Sequence, residues 1–435
     1  MALDGKEARR VYRSDNGCLM LVKVLLALTV IIITARLMGM LFKRLDQPPV
    51  IGEVLGGIML GPSLFGHFAP ESAAAILPAD AAPFLAIISQ LGVILFMFLV
   101  GLELDLGVLR TRARTTIAIS NAGIIVPFAL GIALAWGMYA AYAPAGVDFT
   151  SFALFIGVSM SITAFPVLAR ILSDRGLQRT PLGVMALTCA AIDDATAWCL
   201  LAFIVGVSQS STSGAIVTIG LTAIYVALML TVGRSLMKRA VPRLDAAITV
   251  GEQSLAIVLV AVLLSALATE YIGVHAIFGA FLLGAIIPHG SAIARHVRER
   301  IEDIVRVMLL PAFFAFTGLR TQIGLLQTAD DWLVCLLIIV AATSGKFGGA
   351  TLAARFSGLD WRNSAAIGIL MNTRGLVELI VLNIGLDLGV LTPRLFTILV
   401  LMAIVTTMMT SPILMAILRS GGAKRADGRF HSTAS

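Results

Sequence analysis

Charged residues are scarce in this chain of 435 residues: Asp, Glu, Lys and Arg together make up 13%, whereas hydrophobic residues make up 58%. The mean hydropathy of +0.96 excludes a water-soluble domain of this length, because a domain that hydrophobic would aggregate in water. The apolar runs are long and unbroken, and they lack the alternation over roughly ten residues that a membrane β-barrel requires. The composition therefore predicts an all-α polytopic membrane protein.

Several motifs of metal-binding, nucleotide-binding and proteolytic sites are also missing. Its 4 cysteines contain no CxxC pair, which argues against a zinc site and a disulfide framework. No GxxxxGK[ST] loop indicates an ATP site, and no GxGD stretch indicates an intramembrane aspartyl protease. The net charge of +7 is explained by basic loops and predicts no nucleic-acid partner. We therefore expect a protein that is not an enzyme and has no cofactor.

The apolar windows predict about thirteen transmembrane helices, because about 20 apolar residues span the hydrocarbon core. The first six and the last six can form two inverted six-helix repeats, at about 19–207 and 248–418, with a linker helix at 214–236. Together they form a membrane domain at 19–418. The windows lie near 19–41, 48–65, 83–104, 115–140, 151–172, 182–207, 214–236, 248–269, 273–289, 304–318, 331–354, 364–386 and 393–418.

Basic residues predict the orientation in the membrane, because cytoplasmic loops carry an excess of Lys and Arg. They follow every odd-numbered window, whereas the loops between carry mostly acidic residues. This alternation predicts a bacterial-type inner (cytoplasmic) membrane protein with an extracytoplasmic N-terminal segment, 1–18, and a short cytoplasmic tail, 419–435. Four basic residues in the N-terminal segment argue the other way, but nearby acidic residues offset most of their charge.

Two helices in matching positions of the repeats are interrupted. The fifth contains "MSITAFPVLARIL" (160–172), and the twelfth contains "GILMNTRGLVELIVLNIG" (368–385). Proline removes a backbone donor, and a polar side chain can replace it locally. The pattern predicts crossed discontinuous helices 5 and 12, whose unwound carbonyls and half-helix ends can form a cation site near the midplane. The polar residues at the interruptions are Thr163, Asn372, Thr373 and Arg374.

Adjacent aspartates, Asp193 and Asp194, lie in the otherwise apolar stretch 187–203. Each charge at a helix centre costs about 2.5–3.5 kcal/mol on insertion scales, so a functional role is expected. Adjacent helical positions point about 100° apart, which predicts two different roles rather than one shared proton. Lys346, among glycines of the eleventh helix, is a candidate partner for one of them.

Three other charged residues are candidates with open roles. Arg374 and Glu378 are four residues apart on the predicted twelfth helix, and they form either a structural pair or part of the site. Glu53 belongs to the Gly-rich second helix, where it lines either a funnel or a domain interface.

Five stretches together resemble the monovalent cation:proton antiporter-2 family. They are "VIGEVLGGIMLGPSLFG" (50–66), "ILFMFLVGLELD" (94–105), "AAIDDATAW" (190–198), the Gly345–Lys346 pair and "MNTRGLVELIVLNIG" (371–385). The resemblance covers about 20–418. It implies a thirteen-helix homodimer in the lipid bilayer, with a dimerisation domain and a six-helix core that moves like an elevator.

The resemblance also implies roles for individual residues. Asp194 would bind cation and proton in competition, with a monovalent metal ion, Na⁺ or K⁺, as the cation. Asp193 would pair with Lys346, and Thr163 and Thr373 match positions near the helix crossing. Large members of the family carry a nucleotide-binding domain after the membrane region, and here only the short tail follows, which predicts no such fused domain.

The sequence thus favours an antiporter that exchanges a monovalent cation, Na⁺ or K⁺, for protons. Its physiological role stays open between cytoplasmic pH homeostasis and salt tolerance. A sodium-coupled symporter of an organic anion is the alternative, since it has a related crossed-helix architecture. A cation channel fits less well, because the broken helices suit a closed, alternating site.

Overall fold

The computed structural model describes residues 5–103, 113–209, 212–246, 252–288 and 290–427. It is 86% helix, and no strand occurs in these ranges, which confirms the all-α polytopic fold. The helices of the first half are α1 (Gly5–Arg44), α2 (Pro49–Leu60), α3 (Phe65–Phe68), α4 (Pro70–Ile76), α5 (Ala82–Glu103), α6 (Ala113–Tyr142), α7 (Phe149–Ser161), α8 (Phe165–Asp174) and α9 (Pro181–Gln209).

The second half continues the helical pattern. Short π-helical turns at Met229–Gly233 and Val305–Leu309 join α10 to α11 and α14 to α15. The helices of the second half are α10 (Thr212–Leu228), α11 (Arg234–Ala246), α12 (Glu252–Ile272), α13 (Ala276–Ile286), α14 (Ala292–Ile304), α15 (Leu310–Arg320), α16 (Ala329–Phe356), α17 (Trp361–Met371), α18 (Leu376–Asp387) and α19 (Pro393–Asp427).

The number of membrane spans is smaller than the sequence predicts. Of the described residues, 11 helices are long and apolar enough to cross a membrane, and the bent pair α17 and α18 raises this to 12. The predicted window at 273–289 gives only α13, whose 11 residues are about 16 Å long, against about 30 Å of hydrocarbon. The helix ends at Ile286 because Ile287 is extended before Pro288. The count of thirteen is therefore not confirmed.

The helices pack as two bundles. The crossing bundle consists of α6 to α9 and α16 to α19, and the second bundle consists of α1, α2, α5 and α12 to α15. Glycines allow close contact in both. A Cβ on Gly349 of α16 would lie 2.7 Å from the Ala122 carbonyl oxygen of α6, and one on Gly318 of α15 would lie 2.4 Å from the Gly57 carbonyl carbon of α2. Each bundle contains helices from both predicted repeats.

The predicted linker at 214–236 corresponds to α10, a π-turn and the start of α11. Within its span, Gly220–Pro242, the most apolar stretch of 18 residues has no residue buried inside the described structure. The linker therefore lies on the outside of the helices described. The boundaries of the repeats, of the N-terminal segment and of the tail stay predictions.

Candidate functional site

Two interrupted helices cross in the crossing bundle. One break separates α7 from α8 at residues 162–164, and the other separates α17 from α18 at residues 372–375. The Ala164 amide donates to the Thr373 carbonyl at 2.9 Å, and the Thr163 hydroxyl donates to the Met371 carbonyl at 2.9 Å. Pro166 lies in the first turn of α8, where a missing N–H costs little. The prediction of crossed discontinuous helices is confirmed.

Asp193 is wholly buried and fully supplied with hydrogen-bond donors. Lys346 Nζ and Thr163 Oγ1 each donate to Asp193 Oδ2 at 2.7 Å, and the Ser120 hydroxyl donates to Oδ1. Lys346 Nζ also donates to the Ser161 carbonyl at 2.5 Å. Lys346 therefore balances both the carboxylate and the negative C-terminal end of α7.

Asp194 differs from its neighbour in every contact. It is 1% exposed, and neither carboxylate oxygen has a hydrogen-bond partner in the described part of the chain. The Phe165 amide, at the positive N-terminal end of α8, stabilises the charge of this carboxylate, although its geometry falls short of a full hydrogen bond. A buried carboxylate without partners is costly, so its free oxygens are available to a proton or a cation.

Arg374 joins the two breaks. Its guanidinium donates to the Ser159 carbonyl at 3.0 Å and to the Met160 carbonyl at 2.5 Å, so its charge faces the C-terminal end of α7. Its Nη1 lies 3.6 Å from Glu378 Oε2, and both side chains are wholly buried. Arg374 precedes α18, which begins at Leu376, so the two residues do not lie on one helix as predicted, although their charges do pair. The unwound backbone places the arginine instead.

The remaining polar residues of the second break have unequal surroundings. The Thr373 hydroxyl donates to the Leu370 carbonyl at 2.7 Å. Asn372 is wholly buried, yet its side-chain oxygen and nitrogen form no hydrogen bond with the described residues. The oxygens of Glu378 accept no hydrogen bond from these residues either, and their contact with Arg374 is the ion pair at 3.6 Å. The crossing therefore contains side-chain oxygen atoms of Asp194, Asn372 and Glu378 that accept no hydrogen bond from the described residues. Such oxygen atoms are the ligands that hard monovalent cations accept.

Two contributors to the site were missed by the sequence reasoning. Ser120 donates to Asp193 from α6, and the Thr407 hydroxyl of α19 both accepts from the Arg374 amide at 2.9 Å and donates to the Arg374 carbonyl at 2.8 Å. Ser120 is followed by Asn121 in α6, and Thr407 is one of several hydroxyl residues in the same stretch of α19. Their sequence shows only a small polar residue at membrane depth, which is common, so no local signal marks them.

Glu53 lies outside the crossing, on α2. It lines a cavity of about 810 Å³ that lies between the two bundles. The cavity extends to Phe165 and Leu376, the first residues of α8 and α18, and to Leu187. Leu187 precedes Asp194 by two turns of α9, about 10 Å along the axis. The cavity therefore approaches the crossing without including Asp194 in its lining.

Comparison with known proteins identifies the family. The sequence model described as "Sodium/hydrogen exchanger, transmembrane" matches residues 29–419. The chain belongs to this family. The resemblance predicted from the motifs is thereby confirmed, and relatives of the chain carry related names. The Na(+)/H(+) antiporter NhaS4 of Synechocystis is 46% identical over 405 residues, which cover 93% of this chain and 98% of the relative.

Two eukaryotic relatives are longer than this chain. Cation/H(+) antiporter 17 of Arabidopsis thaliana is 39% identical, and the match covers 92% of this chain and 48% of the relative. K(+)/H(+) antiporter 1 of Saccharomyces cerevisiae is 34% identical, and the match covers 88% of this chain and 45% of the relative. The chain thus spans about half the length of these two proteins.

A solved structure shares the fold of this chain. The sodium proton antiporter MjNhaP1 from Methanocaldococcus jannaschii superposes with a TM-score of 0.63, and the match covers 92% of this chain and 96% of that protein. The two sequences are 14% identical, so the likeness concerns the fold alone.

Proposed function

We propose that the protein is a secondary active antiporter that exchanges a monovalent cation, Na⁺ or K⁺, for protons, with Asp194 as the shared binding carboxylate. Its family and the names of its relatives support cation/proton exchange. The observation that carries the assignment of the site is the contrast inside one dipeptide: Asp193 is fully hydrogen-bonded, whereas both oxygens of Asp194 are buried and unpartnered.

Exchange follows from competition at Asp194. The carboxylate holds either a proton or a dehydrated cation, and either one neutralises it. A neutral site crosses the low-dielectric region at lower cost than an empty charged one, so the loaded states move and the empty state does not. The buried Asn372 amide oxygen is available as a further cation ligand. Asp193 and Lys346 stay paired and position the crossing.

Fixed charges balance the half-helix ends in this proposal. Lys346 and Arg374 face the negative end of α7, Asp194 faces the positive end of α8, and Glu378 lies in the first turn of α18. Proton or cation binding at Asp194 then changes the balance at one end only. The crossing bundle carries all of these groups, so it can move as a unit.

Alternating access by an elevator motion is the proposed conformational step. The crossing bundle would slide against the second bundle, because the cavity lies between them and the glycine contacts lie within each bundle. A homodimer built on the second bundle, an inner membrane location with the N-terminus outside, and a role in pH homeostasis are predictions of the same proposal. The alternative of an organic-anion symporter has no support from the relatives described above.

The test is cation-driven proton flux in proteoliposomes that contain a pH-sensitive dye. Wild type is expected to move protons on addition of Na⁺ or K⁺, and the ion that acts defines the substrate. Asp194→Asn is expected to lose exchange by at least about 100-fold, since Asn cannot alternate between a proton and a cation. Asp174→Asn, at the exposed end of α8, is the matched control and keeps exchange. Persistent exchange in folded Asp194→Asn protein would contradict the assignment.

A further inference from the structure

Three carboxylates line the cavity between the bundles, and two of them are already paired. Glu103 forms an ion pair with Arg298, and Glu302 forms ion pairs with Arg298 and Arg306. Glu53 forms no hydrogen bond, and no cation lies within 4.0 Å of it, among the residues that the structure describes. Glu53 is therefore the cavity carboxylate whose charge is left without a contact partner.

The surroundings of Glu53 keep its carboxylate free. The residue is 8% exposed, and Gly39 of α1 faces it: a Cβ on this glycine would lie 3.5 Å from Glu53 Oε1. Arg36, one turn earlier on α1, attracts the carboxylate over a longer distance, but its guanidinium donates to the Arg306 carbonyl at 2.9 Å. A side chain more than nine-tenths buried thus faces the cavity without a ligand from the protein.

The rest of the cavity is unfavourable to a cation. Lys43, Arg170 and Arg306 line it as well, and their positive charges repel an entering cation. At the inner end Phe165 and Leu376 are apolar and supply no ligand. A cation that moves from this cavity toward Asp194 therefore has one unpaired carboxylate on its way.

We propose that Glu53 is a first binding site for the transported monovalent cation, reached from the cavity before Asp194. This inference rests on the proposed antiport. Glu53 belongs to the second bundle and Asp194 to the crossing bundle, so a relative motion of the bundles separates them. Glu53 then serves loading and release on the cavity side only, while Asp194 serves both sides.

The experiment compares Glu53→Gln with wild type in everted and in right-side-out membrane vesicles. Everted vesicles present the predicted cytoplasmic face, where the basic residues of the cavity lie. There we expect the KM for the cation to rise about 10-fold, because electrostatic focusing raises the local ion concentration by at least about this factor. The maximal rate should change less than about 2-fold. In right-side-out vesicles we expect the KM to stay as in wild type. Glu53→Asp should retain most of the affinity.

Glu302→Gln is the matched control, because it removes the same charge from the same cavity but from a paired carboxylate. It should raise the KM by less than about 2-fold. An equal rise in both variants would assign the effect to the general field and overturn the proposal, as would an unchanged KM or an equal rise on both faces. Absence of exchange in wild type would instead overturn the proposed antiport itself.

Discussion

The crossing and the cavity contain the same kinds of charged residue in different surroundings. At the crossing, Asp193, Lys346 and Arg374 are wholly buried. Around the cavity, the side chains of Arg298 and Arg306 are 39% and 52% exposed. Exposed pairs contribute about 0–1 kcal/mol, whereas removing one member of a buried pair costs about 3–5 kcal/mol. Ion pairs therefore hold the fold together at the crossing, and they mainly set the local field in the cavity.

Each region also contains a carboxylate that lacks a partner. At the crossing it is Asp194, and in the cavity it is Glu53. The comparison separates residues that stabilise from residues that are free to bind ions. Five sets of substitutions test this separation.

The largest loss of stability is expected for Lys346→Met, which leaves Asp193 buried with hydroxyl donors alone. The free energy of unfolding should fall by about 3–5 kcal/mol. Thermal unfolding in detergent measures the effect. Adding Asp193→Asn to this variant should recover most of the loss, and failure to recover it would show that the two groups are not coupled.

A direct comparison of the two aspartates should give opposite patterns. Asp193→Asn removes the charge that pairs with Lys346, so it should lower the free energy of unfolding by about 3 kcal/mol. Asp194→Asn removes a charge that has no partner, so stability should stay the same or increase while exchange is lost. Equal destabilisation by both variants would remove the distinction between them.

Arg374→Met tests the contact between the breaks. It removes the donors to the Ser159 and Met160 carbonyls, and we expect the free energy of unfolding to fall by about 1.5–3 kcal/mol. Glu378→Gln in the same chain should reduce that loss, because Glu378 would otherwise keep a buried charge without its cation. Unfolding midpoints of the single and double variants measure the coupling. If the changes in unfolding midpoint of the two single variants simply add up in the double variant, the two residues do not act as a pair.

A smaller loss is expected for Thr407→Val, which keeps the shape but removes the two hydrogen bonds to the backbone of Arg374. The free energy of unfolding should fall by about 1–2 kcal/mol. Thr406→Val is the control, because that hydroxyl donates only to carbonyls of its own helix. Unfolding midpoints of the two variants should differ, and identical midpoints would mean that α19 does not hold the break.

The smallest effect belongs to Asp174→Asn at the cavity edge. Its ion pair with Arg170 spans one helical turn, and the side chains are 44% and 47% exposed. We expect the free energy of unfolding to fall by less than about 0.5 kcal/mol, and by still less at high salt. A loss as large as that of Thr407→Val, seen in the same unfolding assay, would contradict the comparison between buried and exposed pairs.

The sequence alone determined the membrane class, the approximate place of the spans and the two breaks. Hydropathy is a property of composition over about 20 residues, and proline or polar residues at membrane depth mark an interruption locally. Hydropathy did not determine the length of every span: the window at 273–289 contains a helix of only 11 residues, because the residues that end it lie inside the apolar run.

The tertiary structure decided which charges have partners. In the sequence Asp193 and Asp194 are equivalent neighbours, and only the packing of α9 against α6, α16 and the break between α7 and α8 gives Asp193 its three donors. Arg374 reaches carbonyls 215 and 214 positions earlier because an unwound backbone aims it there. Hydrophobicity acts through local composition, whereas hydrogen bonds act within about 3 Å, so partners are fixed only when the helices have packed.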